Sequence, residues 1–437
     1  MNACRSLAAL ALAAGCQLAP EPSAEPRRAA APVVLEATPP ATAIGVAAAT
    51  TTPRRGDPID DQCLVDFLDT GSGLAVFIRC KPAGGSVLRI LYDGGTVDSE
   101  LNKQGRLMYL LENGLGFMRG STIDHVFQSH PHYDHHSDLI RDNGILENYT
   151  VKHVWDPAAL HTTVAYGCFI KDVIDGANSA DLIYHPARRC PNFDKLECDG
   201  KKMPRWKTKA RSVQPFDAPS RGTPMVAPYA VPLGAAGISA TILHADPDVA
   251  SRDANDASIV VKLDLFGVAV LLTGDEEAGR HAAADTPPKA GSVEEFLLDS
   301  HFDLSANIVQ VPHHGSESSS SNAFQNATII TRAGRKDTYA VISAGPKVFS
   351  PTYNTTLPTP RIVESWKRKL GRGRVVSTKL NDIVAPKCAF NPDKIAPAPA
   401  TDASSAGCNN IQFVISARAR GRKITTANYW PIGGRIP

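Results

Sequence analysis

The chain has 437 residues and a formal net charge of +2, with 46 Lys and Arg against 44 Asp and Glu. That length accommodates one large domain or two small ones. A total charge near zero argues against tight, nonspecific DNA binding by the whole surface, and no stretch reaches the roughly 20 consecutive apolar residues that span a bilayer.

Residues Met1 to Cys16 carry one early cation, Arg5, then an apolar run from Leu7 to Ala14 and the pair Gly15-Cys16. This pattern reads as a bacterial secretory signal, too short for a membrane span. Ala13-Ala14-Gly15-Cys16 resembles a lipobox, where cleavage precedes the Cys and a lipid is attached to it, although the Leu sits one place early, at Leu12. Residues 1–16 are therefore expected to be a signal peptide of lipoprotein type. Residues 17–60 are rich in Pro, Ala and Thr, cannot bury a core, and are expected as a disordered tether. The rest of the chain would then be exported, periplasmic or extracellular, and held to a membrane through an N-terminal lipid anchor.

Sequence patterning predicts strands at residues 63–69, 74–80, 87–92, 123–128, 238–243, 258–265, 268–273, 308–311 and 338–343. Helices are expected at 97–115, 136–147, 159–175, 275–284, 292–299 and 358–370. The densest chemistry follows the apolar run Ile123 to Phe127. There His130-Pro131-His132-Tyr133-Asp134-His135 offers four metal ligands in six residues. Imidazole nitrogen and carboxylate oxygen both bind Zn²⁺ and similar ions at short range, and one ion cannot easily use all four groups. Adjacent Asp134 and His135 point differently from the alternate pair His130 and His132, so two neighbouring metal sites are expected.

Two later segments supply what such a site still lacks. Ser258 to Leu265 and Val268 to Leu272 alternate as a strand pair around Gly267, and the second ends in Thr273-Gly274-Asp275. The Asp275 carboxylate can bridge two ions there; the plainer reading is a cap on a helix starting at Glu276. Ile308 to Val311 is a short strand that runs into Pro312-His313-His314-Gly315-Ser316.

Strand-end clusters in the order HxHxDH, Asp, His-His-Gly-Ser resemble the metallo-β-lactamase superfamily. Joined by Val65-Asp66-Phe67-Leu68-Asp69-Thr70-Gly71-Ser72-Gly73 and Leu91-Tyr92-Asp93-Gly94-Gly95, they are similar to the extracytoplasmic hydrolase domain of ComEC-type DNA-uptake proteins. The resemblance implies an α/β fold, the four-layer αβ/βα metallo-β-lactamase sandwich, over residues 61–375. Residues 376–437 would be a C-terminal extension packed on that domain. Two divalent ions, Zn or Mn, are implied: His130, His132 and Asp275 for the first, Asp134, His135, Asp275 and His314 for the second. Asp93 would support the loop from behind, and the choice between His313 and His314 as ligand stays open, the other facing substrate. A further His often completes the first site. Among His153, His161, His185 and His244, the best placed is His185, at the end of Leu182 to Tyr184. Two departures stand out: Gly71-Ser72-Gly73-Leu74 where relatives tend to carry Gly-Gln-Gly-Asp, and Leu357-Pro358 where they tend to carry His-Pro.

Ligands of this kind imply hydrolysis, because paired ions acidify a bridging water and clamp both the attacked group and the leaving oxygen. Asp134, His313 and Ser316 are the expected catalytic groups, with Ser316 to Ser321 lining the substrate path. No GxGxxG cradle or nucleophilic Ser elbow occurs. The expected function is thus an exported metal-dependent nuclease or phosphodiesterase. The alternatives are a lactam, lactone or envelope-component hydrolase, and a catalytically silent metal-binding scaffold.

Nine Cys are present, and export favours disulfides over a zinc knuckle, whose CxxC spacing is missing. With Cys4 and Cys16 at the processed end, the expected pairs among the other seven are Cys63 with Cys80, Cys190 with Cys198 and Cys388 with Cys408, leaving Cys168. Basic residues cluster twice, Lys201 to Arg211 around Trp206 and Lys367 to Arg374 after Trp366. These clusters suit a phosphate backbone with a base on each Trp, or are simply solvated faces. Residues 186–236, rich in Pro and basic groups, are expected as an excursion over the active-site face.

Overall fold

The computed structural model describes residues 56–95, 106–140, 144–179, 182–187, 195–198, 201–202, 212–221, 227–249, 251–332, 334–344, 348–350, 355–378, 409–417 and 423–431. The expected signal peptide, the tether before Gly56, Cys190, Cys388, Cys408 and the basic cluster beyond Lys202 lie outside the described residues.

Strands β1 (Gln62–Phe67), β2 (Val76–Lys81) and β3 (Leu88–Tyr92) form an antiparallel meander. β4 (Thr122–Phe127), β5 (Thr150–Asp156) and β6 (Ile183–Pro186) extend it in parallel. Helices α1 (Tyr133–His136), α2 (Ile145–Asn148) and α3 (Val164–Ser179) lie in the crossovers that parallel strands require. A second sheet repeats the scheme. β7 (Tyr229–Val231), β8 (Ile238–His244), β9 (Val260–Leu265) and β10 (Val268–Leu272) are antiparallel; β11 (Ile308–Gln310), β12 (Tyr339–Ile342) and β13 (Val375–Ser377) follow in parallel. Between them run α4 (Val293–Asp299), α5 (Asn322–Thr328) and α6 (Pro360–Leu370). Finally β14 (Asn409–Ser416) and β15 (Lys423–Pro431) return to the first sheet, with β14 antiparallel to β1. The sheet orders are β15-β14-β1-β2-β3-β4-β5-β6 and β13-β12-β11-β10-β9-β8-β7.

Period-two alternation assigns each strand residue to a layer. Val65, Phe67, Val76 and Ile78 meet Ile242, Val261, Leu263 and Val270 in one core between the two sheets. Phe77, Leu91 and Val154 point the other way, onto Tyr166, Phe169 and Ile170 of α3. On the far side, Leu243, Val260 and Leu271 pack against Leu297, Phe324, Ile362 and Trp366 of the remaining helices. The layers therefore run helices, sheet, sheet, helices, a mixed α/β architecture built on two large mixed sheets.

β14 belongs to this framework through polar as well as apolar contacts. Asp66 and Arg79 form a buried ion pair at 2.8 Å, and Gln412 Nε2 donates to the second Asp66 oxygen at 2.8 Å. Burial pushes the Asp66 carboxyl up, with Arg79 opposing it. Asn410 accepts the Asp69 N–H at 2.8 Å. Removing either partner would leave a buried charge or donor without compensation, which is where such pairs become costly.

Most expected strands are present within two residues; the helix expected at 159–175 runs Val164–Ser179, and three others differ more. Residues 136–147 break into α1 and α2, separated by a turn in which the Ile145 N–H reaches Asp138 O. Of 97–115, the described part holds an α-helical turn at Arg106–Tyr109 and a π-helical one at Leu110–Gly114. At 275–284 no α-helix forms, only a 3-10 turn at Ala283–Asp285, because the N–H groups of Ala278 and Ala283 bond to Ser318 O and Glu317 O instead of carbonyls four residues back. Trp366, expected as an exposed stacking surface, is fully buried, since it lies on the apolar side of α6.

Cys63 and Cys80 face each other across β1 and β2 and are bonded. Cys198 is bonded to Cys168 of α3, correcting the expected Cys190–Cys198 pair; sequence proximity is no guide where a helix carries a partner to the same place. Two disulfides fit an oxidising, exported environment. Among the described residues no helix is long and apolar enough to cross a membrane. The Cys63–Cys80 bond closes a short loop, with a sequence separation of 17. Replacing both Cys by Ala is expected to lower unfolding free energy by about 3 kcal/mol, measured by urea denaturation under oxidising conditions.

Candidate metal centre

Parallel strands send their carboxyl ends to the same edge, so the loops that follow β3, β4, β10, β11 and β12 can meet. These loops carry Asp93, Gln128 to His135, Thr273 to Asp275, Pro312 to Gly315 and Ser343 respectively. Gly274 permits a close crossing of two of these loops, since a Cβ there would lie 2.8 Å from Ser129 Cβ and its φ is +59°. The side-chain amide of Gln310 fixes that turn by accepting from Thr273 N at 2.8 Å and Gly274 N at 2.9 Å, and donating to Gly274 O at 3.0 Å.

The buried Asp93 carboxylate organises the histidine loop. One oxygen accepts Ser129 N at 2.6 Å; the other takes Ser129 Oγ at 2.6 Å and His135 Nδ1 at 2.7 Å. Because Nδ1 of His135 donates to Asp93, Nε2 is the atom it can offer to a cation. His130 Nδ1 lies 3.0 Å from Ser129 Oγ, whose proton goes to Asp93, so Nε2 of His130 is the lone-pair atom too. His314 Nδ1 donates to Ser343 O at 2.8 Å, with the same result. Outer partners of this kind set ligand tautomers at metal sites.

Those three nitrogens converge on Asp275. Its Oδ2 is 3.2 Å from His135 Nε2, 3.3 Å from His314 Nε2, 3.9 Å from His130 Nε2 and 4.0 Å from His313 Nε2. His132 Nδ1 faces His130 Nε2 at 3.0 Å, and Asp134 Oδ2 is 3.7 Å from His314 Nε2. Two overlapping buried groups result, His130 with His135 and Asp275, and Asp134 with His135 and His314, each with ligand atoms within 4.8 Å of one another. A divalent cation fits this donor set. His135 Nε2 and Asp275 Oδ1 are buried with no hydrogen-bond partner. Without a cation the charges lean on one another: burial disfavours charged His135, yet Asp275 and Asp93 hold its pKa well above the ordinary range. Burial would likewise raise Asp275, but His135 and His314 hold it well below.

His313 and His314 sit side by side at φ values of +48° and +52°, a conformation costing roughly 1–2 kcal/mol per residue. This turn sends the two rings apart. His314 enters the buried group, while His313 stays partly exposed with Nδ1 2.9 Å from Glu277 Oε1. Glu277 also accepts from Asn255 Nδ2 at 3.0 Å and Ser318 Oγ at 3.1 Å. Burial would lower His313, but Glu277 and Asp275 raise it above its usual range. Gly71-Ser72-Gly73-Leu74 lies against the histidine loop, where Leu74 N bonds Asp134 O and a Cβ on Gly73 would come within 2.3 Å of that oxygen.

Of the expected ligands, His130, His132, Asp134, His135, Asp275 and His314 are brought together. His185 stands apart and is corrected: its Nδ1 bonds Gln214 O at 3.0 Å, its Nε2 meets His153 Nδ1 at 3.0 Å, and its ring stacks on Trp155. His244 is buried on Ser258 O. His161, weighed but not chosen, lies nearest, its ring centre 5.4 Å from that of His132. Ser316 Oγ lies 3.0 Å from Ser318 Oγ beside His313. Ser319, Ser320 and Ser321 are buried and do not line a path, since Ser320 N and Ser321 N bond Glu294 and Ser321 caps α5. Ser129, Asn255, Glu277, Gln310 and Ser343 were not legible as site residues. Only Ser129 and Glu277 carried a signal, their adjacency to a ligand motif. No protein-family model matches the chain, and no curated protein matches it.

Asp93→Asn keeps the shape but cannot accept from both Ser129 and His135 as a charge. It is expected to weaken Zn²⁺ affinity by about 10- to 100-fold, read by competition with a chromophoric chelator. The separate row of His125, His153 and His185 predicts acid lability. Burial, with neighbouring imidazoles adding, lowers His125 to about 3 and His185 to about 4. The unfolded chain binds these protons near pH 6.5, so stability is full above that pH and falls as pH drops toward 4. His185→Gln, whose amide still reaches Gln214 O, is expected to flatten the fall in melting temperature between pH 6.5 and 4.

Proposed function

We propose that this chain is an exported metal-dependent hydrolase of the metallo-β-lactamase superfamily, resembling the ComEC-type hydrolase domain, that cleaves phosphodiester bonds as a nuclease or phosphodiesterase. The observation that carries this reading is the convergence of imidazole and carboxylate ligands from both sheets on Asp275 Oδ2. His130, His132 and Asp275 would hold one ion; Asp134, His135, Asp275 and His314 would hold another. When bound, divalent Zn or Mn ions supply Lewis acidity and a water of lowered pKa.

The chain's own groups do the rest. Asp93 and Ser343 hold the ligand rings in one tautomer, so the site needs little rearrangement to accept its ions. His313 turns Nε2 toward the same centre from the solvent side, where it can donate to an oxygen of the attacked phosphoryl group. Ser316, next to it, offers a second hydroxyl donor. Export rests on the signal-like N-terminus together with the two disulfides, and lipid attachment at Cys16 would place the enzyme at a membrane surface.

Protein loaded with Zn²⁺ or Mn²⁺ is expected to hydrolyse bis-nitrophenyl phosphate and single-stranded DNA, and to fall to background with His130→Ala or Asp275→Asn. Ring opening of a cephalosporin with no phosphoester turnover would transfer the site to the lactam alternative. Stoichiometric metal with no turnover of any kind would leave a silent scaffold.

A further inference from the structure

Far from the metal centre, tertiary structure gathers cations that are separate in sequence. The short hairpin pairing Thr331–Arg332 with Arg335–Lys336 lies beside the last turn of α6 and the segment after it. Arg332 Nη1 and Arg374 Nη1 are each 3.9 Å from the Asp337 carboxylate. Lys369 Nζ donates to a neutral partner, Asn326 Oδ1, at 2.6 Å, and Arg374 lies over the Tyr339 ring. Arg332 and Arg374 thus share the Asp337 carboxylate, while Lys336 and Arg368 stand close enough to Lys369 for their charges to oppose its own, in a chain whose net charge is only +2. The α6 dipole favours cations at its end, but it gives no reason for the hairpin to bring Arg335 and Lys336 to them. Burial, then the charges of Arg368 and Lys336, hold the Lys369 ammonium below its usual range.

We propose that this face binds the phosphate backbone of a nucleic-acid strand, as a secondary surface for the substrate of the metal centre; this rests on the phosphodiester reading above. The chemistry of the face selects the partner. Trp366 is buried and Tyr339 is covered by Arg374, so neither of these rings offers a platform to bases, and recognition runs through phosphates. Among the described residues, the exposed large apolar side chains are Ile59, Met118, Tyr133 and Val164, and none belongs to the hairpin, to α6 or to the segment after it. Position supports the same partner. Thr359, the residue that precedes α6, has its N–H bonded to Gly315 O next to His314, and the 11 residues of the helix run about 16 Å to the cations. A strand held at the metal centre can therefore continue along α6 onto this face.

The test compares the full chain with R335A/K336A/R368A/K369A, using a labelled single-stranded oligonucleotide in chelator so that no cleavage occurs. The variant is expected to bind at least about tenfold more weakly near 50 mM salt, with a log–log salt slope shallower by about 3. Its melting temperature and its turnover of bis-nitrophenyl phosphate are expected to be unchanged, and R335K/R368K to retain binding. Unchanged affinity and slope would overturn the proposal. So would loss of binding to phosphatidylglycerol vesicles with oligonucleotide binding intact, which would make this a membrane-facing surface. Weakened binding in a protein that cleaves no phosphodiester supports this face while removing the catalytic reading, so the two fail separately.

Discussion

One carboxylate oxygen, Asp275 Oδ2, stands within 4.0 Å of four imidazole nitrogens from two different loops. Such a gathering exists only if both sheets present their strand ends to the same place, and the apolar layer between the sheets is what enforces that. Val65, Phe67, Ile78, Val261, Leu263 and Val270 fill it, and each fully buried side chain of this size contributes roughly 1.5–3 kcal/mol. The core positions β4 against β10 firmly enough that Gly274 and Ser129 meet in van der Waals contact.

Around that oxygen, burial and charge oppose each other. Desolvation alone would neutralise both the acids and the imidazoles, and their mutual attraction reverses this for Asp275 and His135. A second ring of polar groups then decides which atom of each imidazole looks inward: Asp93 for His135, Ser129 for His130, Ser343 for His314. Backbone strain at His313 and His314 serves the same end, since two successive left-handed residues split neighbouring rings between the buried group and the solvent side. Such conformations persist where the surroundings over-determine them, here through Glu277, Asn255 and Ser318.

The frame that carries this centre is closed by distant chain segments. β14 joins β1 across more than three hundred residues of sequence, through Gln412 on Asp66 and Asn410 on Asp69. Disulfides tie β1 to β2 and α3 to Cys198. α6 links the two charged regions of the second half, with its first residues against Gly315 and its last beside the cationic hairpin.

What the sequence by itself determined was local: the alternation that makes the strands, and the ligand-rich loops that follow them; the support from Asp93 came only as an implication of the family resemblance. Period-two burial and residue chemistry are written in neighbouring letters, so the strand ends and the His and Asp residues that gather around Asp275 were legible. Tertiary structure decided what depends on contacts between distant segments. It moved His185 into a separate imidazole row, brought His161 to His132, bonded Cys168 to Cys198, buried Trp366, and drew the backbone of 275–284 away from a helix toward the 317–318 loop. In each case a partner far along the chain supplied the hydrogen bond, the covalent bond or the apolar surface, and no local pattern encodes which partner that will be.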